Sequence, residues 1–261
     1  MDYPFVLARA TWLLFRMHLG TIFGSRRTLA GIALAAIPPL LAFLAARLTP
    51  DQVTGRSILL ELGLMLMLGF IVPMLAVSLG VGVVADEAES RTITYPFTRP
   101  IPRAALFLGR WLASLVCMLV LIAISATAMA YFASTRDGAP TEESANQLIV
   151  AALVGTTIYS LGAAVIGVIS KRGLVIALGY AFAIEILLAN LPGSSQRMTV
   201  QYYLRSVFLE GEQGTFGPAD VIRPEDLTDS ASALIRMGVI GVILLLLGMR
   251  LVTRRQFVLS S

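Results

Sequence analysis

Long apolar runs separated by short clusters of charge set the pattern of this chain. The first is uncharged from Thr28 to Ala46, the second from Leu62 to Ala85, the third from Trp111 to Thr135 and the fourth from Ser144 to Ser170. A fifth follows from Gly173 to Leu191 and a sixth lies between Ser230 and Val252. A helix rises about 1.5 Å per residue, so roughly 20 apolar residues cross the hydrocarbon of a bilayer. The pattern predicts an all-α integral membrane protein with six transmembrane helices, at 28–46, 62–85, 104–135, 144–170, 173–191 and 231–252. In the last of these Arg236 and Arg250 enclose the uncharged stretch and must reach toward opposite interfaces.

Prolines and glycines refine the picture. Pro38 and Pro39 fall near the middle of the first span and should kink it, while Pro73 lies inside the second. Gly63, Gly69, Gly80 and Gly82 in the second span, and Gly155, Gly162 and Gly167 in the fourth, offer close helix approach.

The segment before the first span, 1–27, is apolar but interrupted. Phe5, Ala8, Trp12, Phe15, Leu19 and Ile22 form one helical stripe, with Arg9 and Arg16 at its edge. Two arginines inside the run make a spanning helix costly, so an interfacial N-terminal helix is expected, with packing against the bundle as the alternative. Arg16 also breaks the apolar centre that a cleavable signal peptide needs.

Composition agrees with a membrane chain: 57% of residues are hydrophobic and 14% charged, well outside the range of a soluble domain. The net charge of +4 does not point to nucleic acid, because basic residues sit at the ends of apolar runs. With the N-terminus in the cytoplasm, 13 of the 20 basic residues fall on the inside, as the positive-inside rule requires. Both termini are then cytoplasmic, and the 192–230 loop is extracytoplasmic. That loop opens with an apolar stretch, Thr199 to Leu209, expected as a short helix dipping to the interface, and continues as an acidic, turn-rich segment without the spacing of a calcium loop.

The densest polar interruption, 86–103, faces the cytoplasm in this arrangement. Asp86 followed by Glu89 is a helix-start signature, and Glu87 and Arg91 stand four apart in the favourable order. Pro96 restricts Tyr95 and ends the helix; Pro100 and Pro102 stiffen the turn, and Pro102 can open the next span. The order of an acidic turn, then Arg91-Thr92-Ile93, then Arg99-Pro100-Ile101-Pro102-Arg103, then Leu108-Gly109-Arg110 resembles the cytoplasmic loop of type-2 ABC exporter permeases. Arg91, Pro102 and Arg110 stand where that family commonly has glycine, serine and lysine. The resemblance implies a short coupling helix seated on a separate ABC ATPase subunit, with Asp86, Glu87, Glu89, Arg91, Thr92, Tyr95, Arg99 and Arg103 carrying the contact. It also implies a second permease copy, as homodimer or related heterodimer, and a bacterial inner membrane. ATP and magnesium belong to the partner: the chain has no Gly-x-x-x-x-Gly-Lys-Ser/Thr run.

Other chemistry is sparse. One cysteine, Cys117, and one histidine, His18, supply neither a disulfide nor a metal set, and no hydrolase motif occurs, so the chain is not expected to be an enzyme. Glu185 stands out as a carboxylate within an apolar span, which marks either a pathway or an inter-helix bond. The competing readings are an ATP-independent channel or carrier using Glu185, and a membrane scaffold for an ATPase. Kinked spans and many small residues favour an amphipathic, lipid-like cargo.

Overall fold

A computed structural model describes residues 3–22, 24–50, 52–82, 102–170, 172–190, 194–210 and 227–254. Of the residues expected to contact an ATPase, Asp86, Glu87, Glu89, Arg91, Thr92, Tyr95 and Arg99 lie outside this set. Arg103 lies inside it, as the exposed first residue of a long helix.

The described residues form helices and no strand. In chain order they are α1 (Tyr3–Ile22), α2 (Arg26–Leu48), α3 (Gly55–Gly80), α4 (Arg103–Ser134), α5 (Glu142–Ile169), α6 (Gly173–Ala189), α7 (Val200–Phe208) and α8 (Ser230–Arg254). Five of them, α2, α3, α4, α5 and α8, are long and apolar enough to cross a membrane. The fifth expected span, 173–191, corresponds to α6, which is shorter.

Sequence explains where the helices start. Ser25, Thr54 and Thr141 each turn a hydroxyl onto the amide three residues ahead, at 3.1, 3.2 and 3.1 Å, satisfying donors that the first turn leaves open. Helix α2 is broken at Ala36 into Arg26–Ala35 and Ile37–Leu48. Pro38 and Pro39 lack the amides that would bond back to Leu34 and Ala35, so the ladder cannot continue there.

The centre of the bundle is α5, which touches α3, α4, α6, α7 and α8. Across the most apolar stretch of each helix, 61% of α5 is buried against 22% of α2 and 17% of α8. The last two are peripheral and present rows such as Leu40, Leu44 and Leu48, or Val239, Ile243 and Leu246, to the outside. Helix α1 lies along α4, where Gly109 lets the backbone of α1 at Thr11 and Phe15 come close. The stripe expected on α1 is split: Phe5, Ala8 and Trp12 face outward, while Phe15, Leu19 and Ile22 are half-buried. The exposed face, Phe5, Arg9, Trp12, Leu13, Arg16 and Met17, alternates apolar and cationic side chains, and the opposite face is used for packing. The helix therefore has two working faces, where the periodicity showed one.

At one end of the bundle Arg136 ties two loops together. Its guanidinium donates to the carbonyls of Val53 (2.7 Å), Ala46 (2.9 Å), Thr49 (3.0 Å) and Pro50. These include the open carbonyls at the end of α2, where a cation also complements the helix dipole. Beside it the amides of Gly55 and Arg56 donate to the carbonyls of Asp137 and Gly138. The planar fork of an arginine suits several acceptors at once, and an ammonium does not. Arg136→Ala is expected to destabilise the folded chain by about 2 kcal/mol or more, and Arg136→Lys to recover less than half of that, read as thermal unfolding in detergent. Full recovery by lysine would show that charge alone, without the fork, holds the two loops.

Candidate functional site

The site is assembled where two helices depart from α-helical pitch. In α3 the stretch Leu62–Ile71 is wound as a π-helix, and the Val72 amide bonds to the Met67 carbonyl. In that register the Leu68 carbonyl would next be served by residue 73, which is a proline and has no amide hydrogen. The Leu68 carbonyl is thus left without a backbone donor in the middle of an apolar helix. Leu68 lies about 20 Å along α3 from Gly55, far from either end. An unpaired carbonyl at such a depth is costly.

Helix α7 supplies the donor. The Gln201 side chain donates from Nε2 to the Leu68 carbonyl at 2.7 Å. Every residue from Gln201 to Phe208 is buried. The stretch expected to dip to the interface is instead inserted into the bundle between α3 and α5. Two glycines make room: a Cβ at Gly63 would stand 2.7 Å from the Phe208 ring, and one at Gly155 would stand 2.7 Å from Leu204.

The second departure, Gly179–Ile184 in α6, is also a π-turn, closed by the Glu185 amide on the Tyr180 carbonyl. The widened turn rotates the residues that follow it around the helix axis. Glu185, only 1% exposed, then meets the start of α7. One carboxylate oxygen accepts the amides of Val200 (2.5 Å) and Gln201 (3.3 Å). The Thr199 hydroxyl accepts the next amide, that of Tyr202, at 3.2 Å. The first three amides of α7 are all satisfied, and a carboxylate sits at the positive end of its dipole.

Two more groups complete the cluster. The Tyr159 hydroxyl of α5 interacts with the Glu185 carboxyl and the Gln201 side chain. The Arg205 guanidinium, one turn along α7 and 3% exposed, is close enough to feel both Glu185 and Tyr159. The buried carboxylate is held by the two backbone amides, and Arg205 adds an attraction at longer range. The second Glu185 oxygen, the Gln201 Oε1 and the Tyr159 hydroxyl are buried and make no hydrogen bond of good geometry among the described residues. The first turn of α7 is also tied to the start of α8: the Tyr202 hydroxyl meets the Thr228 hydroxyl at 2.8 Å, and Arg236 lies over the Tyr203 ring at 5.9 Å.

Of the residues singled out in sequence, the structure brings Glu185 into this cluster. Arg103 stands apart at the start of α4, and the other loop residues are outside the described set. Gln201, Tyr159 and Arg205 were not singled out. The available signal was Gln201 and Arg205 at helical spacing within an otherwise apolar stretch. Among the described residues no group of acidic, histidine and cysteine side chains is placed to hold a metal ion.

Residues 41–203, more than half of the chain, match the family model of ABC-2 family transporter proteins. The chain belongs to that family. No curated protein matches it. The matched region of this ABC-2 permease begins within α2 and ends within α7, so it encloses both the 86–103 loop and the Glu185–Gln201 junction. The family and the apolar helices make it a multi-pass membrane transporter component, not an enzyme.

Glu185→Ala removes the acceptor of two buried amides and is expected to cost about 1–3 kcal/mol of stability. Glu185→Gln keeps an acceptor oxygen and is expected to restore most of that loss, with transport by the assembled complex retained. Loss of transport in Glu185→Gln at unchanged stability would make Glu185 an ion or proton site and not a cap.

Proposed function

We propose that this ABC-2 permease is the membrane subunit of an ATP-driven exporter, paired with a second permease copy and coupled through the 86–103 loop to separate ATPase subunits. The observation that carries the proposal is the family match over 41–203, which spans that loop. Helix α6 serves as a sixth span, since about 17 residues are at the lower bound for crossing a bilayer. The loop side is cytoplasmic by the distribution of arginines, and both termini share it.

The fold supports a mechanical route for coupling. The loop joins α3 to α4, so a load on it enters both helices directly. Helix α1 travels with α4, on which it is seated at Gly109. Helix α7 is fastened to α3 by Gln201 and to α6 by Glu185. A tilt of α3 driven by closure of the ATPases therefore displaces α7 and α6 together, as rigid elements at the edge of a pathway formed with the second copy. The apolar outer faces of α2 and α8 are available to that copy or to lipid. The use of Glu185 as a helix cap supports a structural role for it and speaks against the carrier reading.

Charge reversal by Glu87→Arg together with Glu89→Arg is expected to leave membrane insertion intact while an ATPase subunit no longer co-purifies, and transport-coupled ATP hydrolysis falls. Recovery of the chain without any ATPase from native membranes, or hydrolysis unchanged by the double reversal in the assembled complex, would contradict the proposal.

A further inference from the structure

The side of the bundle between α6 and α8 is not closed. A cavity of about 250 Å³ lies there, with Gly162 and Ile166 of α5 on its floor, Ala177 and Tyr180 of α6 on one wall and Ile240 and Leu244 of α8 on the other. An apolar cavity of about 150 Å³ is large enough to stay dry and take up benzene, so this one accommodates a longer hydrocarbon. Its walls run outward into exposed apolar surface, Val175 on α6 and Ile243 on α8. Gly162 was expected to be a packing glycine, yet a Cβ there would meet no heavy atom within 4 Å.

The cavity lies toward one end of the bundle. Helix α5 turns into α6 there, with the Gly173 amide on the Ser170 carbonyl, and α8 finishes there, with Gly248 against Phe107 near the start of α4. Three exposed arginines mark this end: Arg172, at the start of α6, and Arg250 and Arg254, in the last turns of α8. Ala177 is about 8 Å along α6 from Arg172, and Leu244 about 9 Å along α8 from Arg250. An apolar slot for an acyl chain and guanidinium donors for a phosphate therefore follow one another in the order in which a phospholipid presents the two. Basic side chains between spans at a membrane surface recognise anionic headgroups in this way.

We infer that the cavity between α6 and α8 holds one acyl chain of an anionic phospholipid whose phosphate is bound by Arg172, Arg250 and Arg254. This site does not depend on the transport proposal. Glu185, Gln201 and Arg205 do not line it, whereas Tyr159 and Val200 belong to both the cluster and the cavity wall.

The test uses the full chain, delipidated in detergent and offered equal amounts of phosphatidylglycerol and phosphatidylcholine, with retained lipid read by native mass spectrometry. Wild type is expected to keep one phosphatidylglycerol in preference. Gly162→Leu, which fills the cavity without a backbone clash, is expected to lower that retention about tenfold, equivalent to about 1.4 kcal/mol. Gly238→Leu, whose added side chain also starts in open space but outside the cavity wall, is expected to behave as wild type. Replacement of Arg172, Arg250 and Arg254 by glutamine together is expected to abolish the preference for the anionic lipid. Equal retention of the two lipids by wild type, or undiminished retention by Gly162→Leu, would overturn the inference, as would a wild-type dimer that keeps no lipid because a second copy fills the gap. Should Gly162→Leu fail to fold, a tryptophan placed by Tyr180→Trp gives a separate reading. Quenching by chain-brominated phosphatidylglycerol in excess of the phosphatidylcholine analogue supports the site, and equal quenching refutes it.

Discussion

The bundle depends on how one short helix begins inside an apolar interior. A helix start carries amides with no internal partner, and water is not at hand to satisfy them in a membrane. Here Glu185 accepts the amides of Val200 and Gln201, and Thr199 accepts that of Tyr202. The same helix returns the favour to α3, since Gln201 donates to the Leu68 carbonyl that Pro73 cannot serve. Each defect is answered by the other element: the proline opens an acceptor and α7 supplies a donor, while α7 opens donors and Glu185 supplies an acceptor.

Much of the remaining packing follows from placing α7 at that depth. Phe208 and Leu204 need the space that glycine leaves at 63 and 155. One end of the bundle is fixed separately, by Arg136 across the loops before α3 and before α5. Helices α2 and α8 stay at the periphery with apolar faces outward. Helices α3, α6 and α7 are joined by buried hydrogen bonds and packed on α5, with looser helices around them; under the proposed coupling they would move as a body.

Periodicity and run length were enough to read an all-helical membrane chain, because hydrophobic stretches of bilayer length are a local property. The break in α2 was legible for the same reason, since Pro38 and Pro39 act on carbonyls a few residues away. The depth of α7 was not legible. Its seat is made by residues from α3, α5 and α6 that are distant in sequence, and an apolar stretch rich in tyrosine reads equally well as an interfacial helix. Glu185 could be flagged from its surroundings, but its partners could not, because Gln201 and Tyr159 are ordinary polar residues until the fold brings them to it. The π-turns were likewise hidden: Pro73 announces an irregularity, and only the structure shows that the irregularity is a widened helix with an open carbonyl at Leu68. Gly162 and Gly155 look alike in sequence, yet one borders a cavity and the other receives Leu204.

The measurement that bears most directly on this account is hydrogen exchange over residues 199–208 of the detergent-solubilised chain, compared with the centre of α5. If α7 is pinned inside the bundle by Glu185 and Gln201, its amides exchange only with the global opening that exposes α5. Exchange of 199–208 at the rate of an exposed loop, while α5 stays protected, would show that α7 is not held there and that the site built around its first turn does not exist.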